Sequence, residues 1–162
     1  MRMRILAIVV AVLAALLTAP AGGNAAVAPS AAPRAVDVVD LRFATHPGFD
    51  RVVIDLRGGA TPEFRDGRSR RFFFEGSGKP VPIRGAAGVW LSITGNGHDA
   101  AGNNIFRGPR LARPGFPTLK ALALTGDFEG QVTFVFALRH RADYTVRHLS
   151  GPSRLVIDFQ HR

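Results

Sequence analysis

The stretch Thr45-His46-Pro47-Gly48-Phe49-Asp50-Arg51-Val52-Val53-Ile54-Asp55-Leu56 is typical of a turn that leads directly into a β-strand. The Pro-Gly pair combines a fixed φ with a permissive one, as a chain reversal requires. After the turn, polar and apolar residues alternate, and successive side chains of a strand point to opposite faces. The pattern therefore predicts a strand with Val52, Ile54 and Leu56 in a core and with Arg51, Val53 and Asp55 on the opposite face.

A second stretch near the end of the chain repeats this pattern. It runs Ser153-Arg154-Leu155-Val156-Ile157-Asp158-Phe159 and has Arg, apolar, Val, Ile, Asp and apolar residues in the same order. The repeat predicts one early and one final strand in the same sheet. If these strands are neighbours, their outward charges can form cross-strand ion pairs, or they can form a charged ridge that recognises a polar polymer. The candidate ligand-binding residues on this face are Arg51, Asp55, Arg154 and Asp158.

The N-terminal residues have the features of an export signal. Arg2 and Arg4 precede an apolar run over residues 5–17, which is short for a membrane span but typical of a signal peptide. We predict a signal peptide over residues 1–28, an Ala/Pro-rich tether over 29–35 and one β-sandwich domain over 36–160. An uncleaved N-terminal anchor is the alternative. The chain contains no Cys, so it has neither disulfides nor a lipobox. We expect an exported, extracellular or wall-associated protein that is not lipid-anchored and has no integral membrane span after signal cleavage.

The formal net charge of the 162-residue chain is +9. Almost all of its cations are Arg, with Lys79 and Lys120 as exceptions, and the chain is rich in Ala and Gly. This composition is typical of a GC-rich genome, which weakens a functional interpretation of the Arg content. A basic exported protein would still be attracted to an anionic wall polymer. Nucleic acid is not an expected partner, because the Arg residues are scattered and no aromatic-interleaved basic motif occurs.

The rest of the domain consists of short alternating stretches separated by Gly, Pro and Asn. We predict further strands over 36–45, 62–65, 70–75, 89–94, 118–125, 131–139 and 144–149, with Val39, Leu41 and Phe43 facing the core in the first. A turn is expected over 126–130 and a long loop over 95–117. No helical periodicity occurs outside the signal peptide. The predicted fold is an all-β, antiparallel β-sandwich of about eight to nine short strands with little or no helix.

Trp90 is the remaining candidate ligand-binding residue. It is the only Trp of the chain, and it shares a predicted strand face with Ser92 and Thr94, opposite Leu91 and Ile93. Sugars stack on exposed aromatic rings through their apolar C–H faces. The alternative is that Trp90 packs under the loop 95–117, with Phe106 and Phe116 as the anchors of that loop.

Motifs for catalysis and metal binding are weak. Gly76-Ser77-Gly78 lacks the flanking residues of a nucleophile elbow, and the five His residues show neither HxH nor HExxH spacing. We therefore expect no catalytic residues, no metal and no cofactor. A hydrolase would most plausibly use Asp50, His98, Asp127 and Glu129, and such a site requires these side chains within about 10 Å of each other.

Several stretches together resemble the AMIN-like domain family of secreted and lipid-anchored actinobacterial proteins. They are Leu41-Arg42-Phe43 with Thr45 to Ile54, Ile83-Arg84-Gly85 with Val89-Trp90-Leu91, Asp127-Phe128-Glu129-Gly130, and Pro152 to Asp158. The name derives from the AMIN domain, a small β-sandwich that targets amidases and secretins to the cell wall. The resemblance implies a β-sandwich and an envelope role, and it supplies no catalytic residues. The absent lipobox Cys distinguishes this chain from the lipid-anchored members.

The sequence thus predicts a non-catalytic exported module of the cell envelope. Its predicted ligand is peptidoglycan or an anionic wall polymer, bound through one face of a sheet. Two alternatives stay open. One is a hydrolase that acts on envelope glycans. The other is a module that pairs with a protein partner through an edge strand.

Overall fold

The computed structural model of the chain describes residues 36–58 and 61–161. The predicted signal peptide (1–28) and tether (29–35) lie outside these residues. The described part contains nine strands: β1 (Val36–His46), β2 (Phe49–Arg57), β3 (Phe64–Arg68), β4 (Ala87–Asn96), β5 (Leu111–Ala112), β6 (Leu119–Phe128), β7 (Gln131–Leu138), β8 (Tyr144–Leu149) and β9 (Arg154–Gln160). These described residues contain no apolar helix long enough to traverse a bilayer.

The strands form two antiparallel layers. Sheet A has the order β1-β2-β9-β8 and sheet B the order β3-β4-β7-β6-β5. A short parallel contact, in which Val36 and Asp37 pair with Gly95 and Asn96, joins the two layers. The prediction of an all-β sandwich with about eight to nine strands is confirmed. The two related strands, β2 and β9, lie in the same sheet, as predicted, and are neighbours in it.

The core lies between the two sheets and follows the predicted alternation. Val52 and Ile54 of sheet A are fully buried and face Leu91 and Phe134 of sheet B, which are equally buried. Burial of such side chains stabilises a fold by roughly 1.5–3 kcal/mol each. Because the chain has no disulfide, this core supplies the principal stabilisation of the described domain.

The first strand differs from its prediction in one detail. A β-bulge between Val38 and Asp40 shifts the register of β1 against β2. Val38 is therefore fully buried, whereas Val39, which we expected in the core, is only half-buried. An inserted residue reverses the faces of the residues on one side of it, and the simple alternating pattern does not reveal it.

The predicted strand over 70–75 is wrong. Residues 69–85 form an irregular segment, here called the covering segment, whose only β contact is an isolated bridge between Phe73 and Pro80. It lies across the outer face of sheet B and buries a second, smaller apolar cluster there. The cluster consists of Phe72, Val81, Ile83, Ala121, Ala123, Val135 and Ala137. The three consecutive Phe residues of this segment do not share one environment, since Phe72 is buried in the cluster and Phe73 is exposed.

The end of β6 differs from its prediction, whereas the loop 95–117 largely agrees with its prediction. Strand β6 continues through Asp127 to Phe128, beyond the predicted turn at 126, and the reversal occurs at Glu129 and Gly130, both with positive φ. The loop predicted over 95–117 begins after Asn96, where β4 ends, and is largely irregular, with the two-residue strand β5 and an isolated bridge between His98 and Asn104.

Candidate functional site

The outer face of sheet B carries a groove between strand β3 and the covering segment. Its volume is about 790 Å³. Strands β4 and β7 form its floor, while residues 63–68 and 69–75 form its two walls. We call this feature the sheet B groove.

The floor of the groove carries a row of hydrogen-bonded polar side chains. Ser92 Oγ donates to Gln131 Oε1 (2.9 Å), and Gln131 Nε2 donates to Thr94 Oγ1 (3.2 Å). Thr133 Oγ1 donates to Ser92 Oγ (3.2 Å). These residues lie opposite one another on β4 and β7, because the outward positions of neighbouring strands are adjacent in register. The row fixes its hydroxyl and amide groups in place, and each retains capacity for a further hydrogen bond to a ligand.

Trp90 lies in the same floor and is half-buried. Gly67 of β3 is paired with it in register, and a Cβ atom at Gly67 would come within 2.8–2.9 Å of the indole ring. Strand β3 can approach the ring this closely only because residue 67 has no side chain. Trp90 thus belongs to the sheet B groove, on the strand face that the alternation predicted.

The loop 95–117 is anchored by two of its own Phe residues, Phe106 and Phe116. Phe106 is buried and packs on Phe134 with the ring centroids 5.7 Å apart, and Phe116 packs edge-on against Phe43 at 6.0 Å. These Phe residues insert into the main core between the sheets, which is the opposite side of sheet B from Trp90.

The walls of the groove carry charges of both signs. Arg65, Arg68 and Arg71 line it together with Glu63 and Glu75. Phe73 stands at the rim with 51% of its surface exposed. A groove with an aromatic ring, fixed hydroxyls and charged side chains of both signs is suited to a polar ligand with some apolar surface.

The other four candidate residues lie on the opposite outer face, that of sheet A. Arg51 and Asp158 are directly opposite in register, and the guanidinium donates from Nε (2.7 Å) and from its terminal nitrogen (2.8 Å) to the two carboxylate oxygens. Arg147 of β8 donates to the same carboxylate at 2.7 Å. The hydrogen bonds from Arg51 are the main reason why the pKa of Asp158 is lowered, against the effect of burial.

The second predicted pair does not form. Asp55 and Arg154 are opposite in register, but Asp55 accepts two hydrogen bonds from Arg42 of β1 (2.8 and 2.7 Å), and Arg154 donates to the carbonyl of Pro152. The charges on this face are therefore mostly neutralised within the sheet, as the ion-pair interpretation of the pattern predicted. The five candidate residues divide between two faces, with Trp90 alone on sheet B.

Asp50, a candidate residue of the hydrolase alternative, is fully buried, and its hydrogen bonds connect separate segments of the chain. Its carboxylate accepts hydrogen bonds from Thr45 Oγ1 (2.8 Å), from the backbone N–H groups of Thr118 and Leu119 (2.7 Å each) and from His161 Nε2 (2.9 Å). Burial alone would raise the pKa of Asp50, but the bond from His161 and the other three outweigh it, so the pKa is lowered. Asp50 thereby ties the start of β6 and the C-terminal residues to β2.

The remaining hydrolase residues lie far from Asp50. Asp127 accepts hydrogen bonds from Gly97 N–H (2.9 Å) and His98 Nδ1 (3.0 Å), which fasten the loop 95–117 to the end of β6. Leu119, which contacts Asp50, is eight residues from Asp127 on the same strand, or about 25 Å at the usual rise per residue. The four side chains therefore do not assemble into one site.

Sequence reasoning located Trp90 but missed the groove around it. The walls come from residues 63–75, which are distant in sequence from the floor of β4 and β7. The available signal was the run of three Phe residues followed by Val81 and Ile83, since this much apolar surface outside a regular strand must cover something.

A comparison with protein-family models matches the AMIN-like domain to residues 36–161, which is most of the chain. A comparison with curated proteins finds no match.

Proposed function

The chain belongs to the AMIN-like domain family, and from this premise we propose that it is an exported module that binds a glycan of the cell wall in the sheet B groove. The family match itself indicates a module related to the cell envelope. We propose peptidoglycan or another wall polymer as the ligand and binding, rather than cleavage, as the activity.

The observation that carries this proposal is the placement of Trp90 beside the hydrogen-bonded row of Ser92, Gln131, Thr94 and Thr133. A sugar ring has an apolar C–H face and a rim of hydroxyl groups. Its apolar face can stack on the exposed part of the half-buried indole, which also packs against the second apolar cluster, while its hydroxyls exchange hydrogen bonds with the row.

The charges of the walls support a polymer that also carries carboxylates. Arg65, Arg68 and Arg71 provide guanidinium groups that match carboxylate geometry with two parallel hydrogen bonds. The stem peptides of peptidoglycan would supply such groups next to the sugars. Sheet A, by contrast, presents arginines that Asp side chains already occupy.

The test is retention on insoluble, protein-free peptidoglycan at low and high salt. We expect Trp90→Ala to reduce the bound fraction about tenfold, by analogy with the loss of a base stacked on an aromatic side chain, which typically costs ~1–3 kcal/mol. Phe128→Ala is the matched control, because Phe128 is a large side chain with 59% exposure and lies outside the groove. Equal retention of both variants, or retention that disappears entirely in high salt, would contradict the proposal.

A hydrolase is the second candidate, and the groove offers one observation in its favour. Glu63 and Glu75 line it from different walls, and glycosidases use two carboxyl groups about 5–9.5 Å apart. Release of new reducing ends from peptidoglycan, abolished in both Glu63→Gln and Glu75→Gln, would establish cleavage. We expect no release by the wild-type protein.

Pairing through an edge strand is the remaining alternative, and the outermost strand of sheet A, β8, is available for it within the described residues. Binding to protein-free peptidoglycan requires no partner strand. The retention assay therefore separates this alternative from glycan binding.

A further inference from the structure

Three shallow depressions around one end of sheet B are lined by basic side chains. Their volumes are about 500, 400 and 570 Å³. The first and second share Arg70 and Arg71, and the second and third share Arg84, so they form a continuous surface. We call this surface the basic ring; its cations are Arg68, Arg70, Arg71, Arg84, Arg113, Lys120, Arg139 and Arg141.

No Asp or Glu side chain that the structure describes lines the three depressions of the basic ring. None of the 12 Asp and Glu residues of the sequence, all of which lie in the described part of the chain, lines any of the three depressions. Asp143 approaches Arg68 at 3.9 Å, but its side chain is fully exposed. On sheet A the opposite holds, since Arg42, Arg51 and Arg57 each form an ion pair with an Asp. A codon bias alone would not separate paired from unpaired arginines in this way.

Some of these cations are held in place by backbone carbonyls. Arg68 donates to Ala142 O (2.8 Å), Arg113 to Pro82 O (2.6 Å), and Arg139 to the carbonyls of Phe116 and Gly115 (2.8 and 2.9 Å). These hydrogen bonds connect the loops that meet at this end of the sheet and fix the guanidinium groups without neutralising them. Anion binding would then require less ordering of side chains.

The other arginines of the ring have unoccupied guanidinium groups. Among the described residues, the side chains of Arg70, Arg71, Arg84 and Arg141 make no hydrogen bond or ion pair, and all four are exposed. They are distributed over the three depressions. Their guanidinium groups can each donate two parallel hydrogen bonds to a phosphate or carboxylate.

We propose that the basic ring binds a phosphate-bearing polyanion. A single small anion would contact only one depression, whereas the cations surround the whole end of the sheet. Phosphate is favoured over carboxylate because its additional oxygens let several guanidinium groups share one group. A lipid bilayer is disfavoured because Phe73 is the only one of the exposed large apolar side chains of the described residues that lines the ring.

The test is direct binding of the purified protein to inorganic polyphosphate. We expect the triple variant Arg70→Ala, Arg84→Ala, Arg141→Ala to bind at least about tenfold more weakly and with a smaller dependence on salt. The matched control is Arg42→Ala, Arg57→Ala, Arg147→Ala, which removes the same charge from sheet A, where each arginine is already paired. The control should bind within about twofold of wild type.

Several results would overturn the inference. Equal weakening in both triple variants would mean that net charge alone attracts the polymer. Binding of poly-glutamate as tight as that of polyphosphate, or tighter binding to anionic phospholipid vesicles, would reject phosphate recognition by the ring. Arg70→Lys, Arg84→Lys, Arg141→Lys preserves charge and fold, and should retain only part of the affinity because Lys lacks the planar fork. Arg68 and Arg71 line both the ring and the sheet B groove, and the triple variant leaves them in place. Trp90→Ala should leave polyphosphate binding unchanged, so the two proposed sites can fail independently.

Discussion

Arg51 and Asp158 lie directly opposite each other on β2 and β9 and share two parallel hydrogen bonds of 2.7 and 2.8 Å. They are 107 residues apart in sequence, so the pair connects the beginning of the domain to its end. Asp158 has only 5% of its surface exposed because Arg51 and Arg147 lie over it. This ion pair is therefore shielded from water far more than the surface pair of Arg57 and Asp37.

This difference in shielding predicts different effects on stability. We expect Asp158→Asn to lower the free energy of unfolding by about 1–3 kcal/mol, because two arginines lose a buried acceptor. Asp37→Asn removes a carboxylate from an exposed ion pair and should change the free energy of unfolding by less than about 1 kcal/mol. Urea unfolding of the two variants measures both values. Equal losses would show that the shielding of Asp158 has no energetic effect.

The free energy of unfolding should fall in acid because two carboxylates, those of Asp50 and Asp158, become protonated. The folded-state pKa values of Asp50 and Asp158 are both lowered from the ordinary value of 3.8. Hydrogen bonds cause this at both sites, against the opposing effect of burial. A lowered folded-state pKa means that the stabilisation is complete above 3.8 and is lost as pH falls through the folded-state values.

Melting temperatures recorded between about pH 7 and pH 2 test this prediction. The double variant Asp50→Asn, Asp158→Asn should melt lower at neutral pH and show a flatter acid branch. Asp143→Asn is the control, because it removes a carboxylate whose side chain is fully exposed. A double variant with the acid branch of wild type would refute the assignment.

The pKa of Tyr144 leads to a prediction about stability at alkaline pH. Burial, followed by the hydrogen bond that its hydroxyl donates to Asp66, raises its pKa to about 12. Because Tyr144 is the only Tyr of the chain, ultraviolet titration reports this group alone. The raised value means that the group contributes stability below pH 10.0, which is lost as pH rises through the folded-state pKa. Asp66→Asn should move the midpoint towards 10.0, and an unchanged midpoint would exclude a role for this bond.

Much of the fold could be predicted from the sequence because its strands bury one face and expose the other. The alternation located β2 and β9 and, in β2, the buried residues Val52, Ile54 and Leu56, and the shared Arg and Asp spacing placed both strands in one sheet. In β9 the alternation says less, since Val156 and Asp158 of its outward face are buried as well. Alternation fails where a residue is inserted, as at the β-bulge next to Val39. It also fails where a segment is placed by tertiary contacts, as in residues 70–75, whose three Phe residues resemble a strand but cover a sheet.

The candidate site was less predictable for a related reason. Alternation placed Trp90 on the outer face of its strand, but it contains no information about which segment crosses that face. The groove exists because β3 and the covering segment stand on either side of the ring. The ion-paired arginines and the unpaired ones are likewise indistinguishable in sequence, since pairing depends on neighbours across strands.

The close approach of Gly67 to Trp90 predicts the effect of a single methyl group. In Gly67→Ala the new Cβ would lie within 2.9 Å of the indole, which is closer than van der Waals contact allows, so the ring or strand β3 must shift. We expect a loss of about 1–3 kcal/mol in stability, a changed emission spectrum of the only Trp, and weaker retention on peptidoglycan. Gly76→Ala is the matched control, since a Cβ there meets no atom within 4 Å. If Gly67→Ala alters the emission but leaves retention intact, the ring is not in contact with the glycan, and binding must be assigned to another surface.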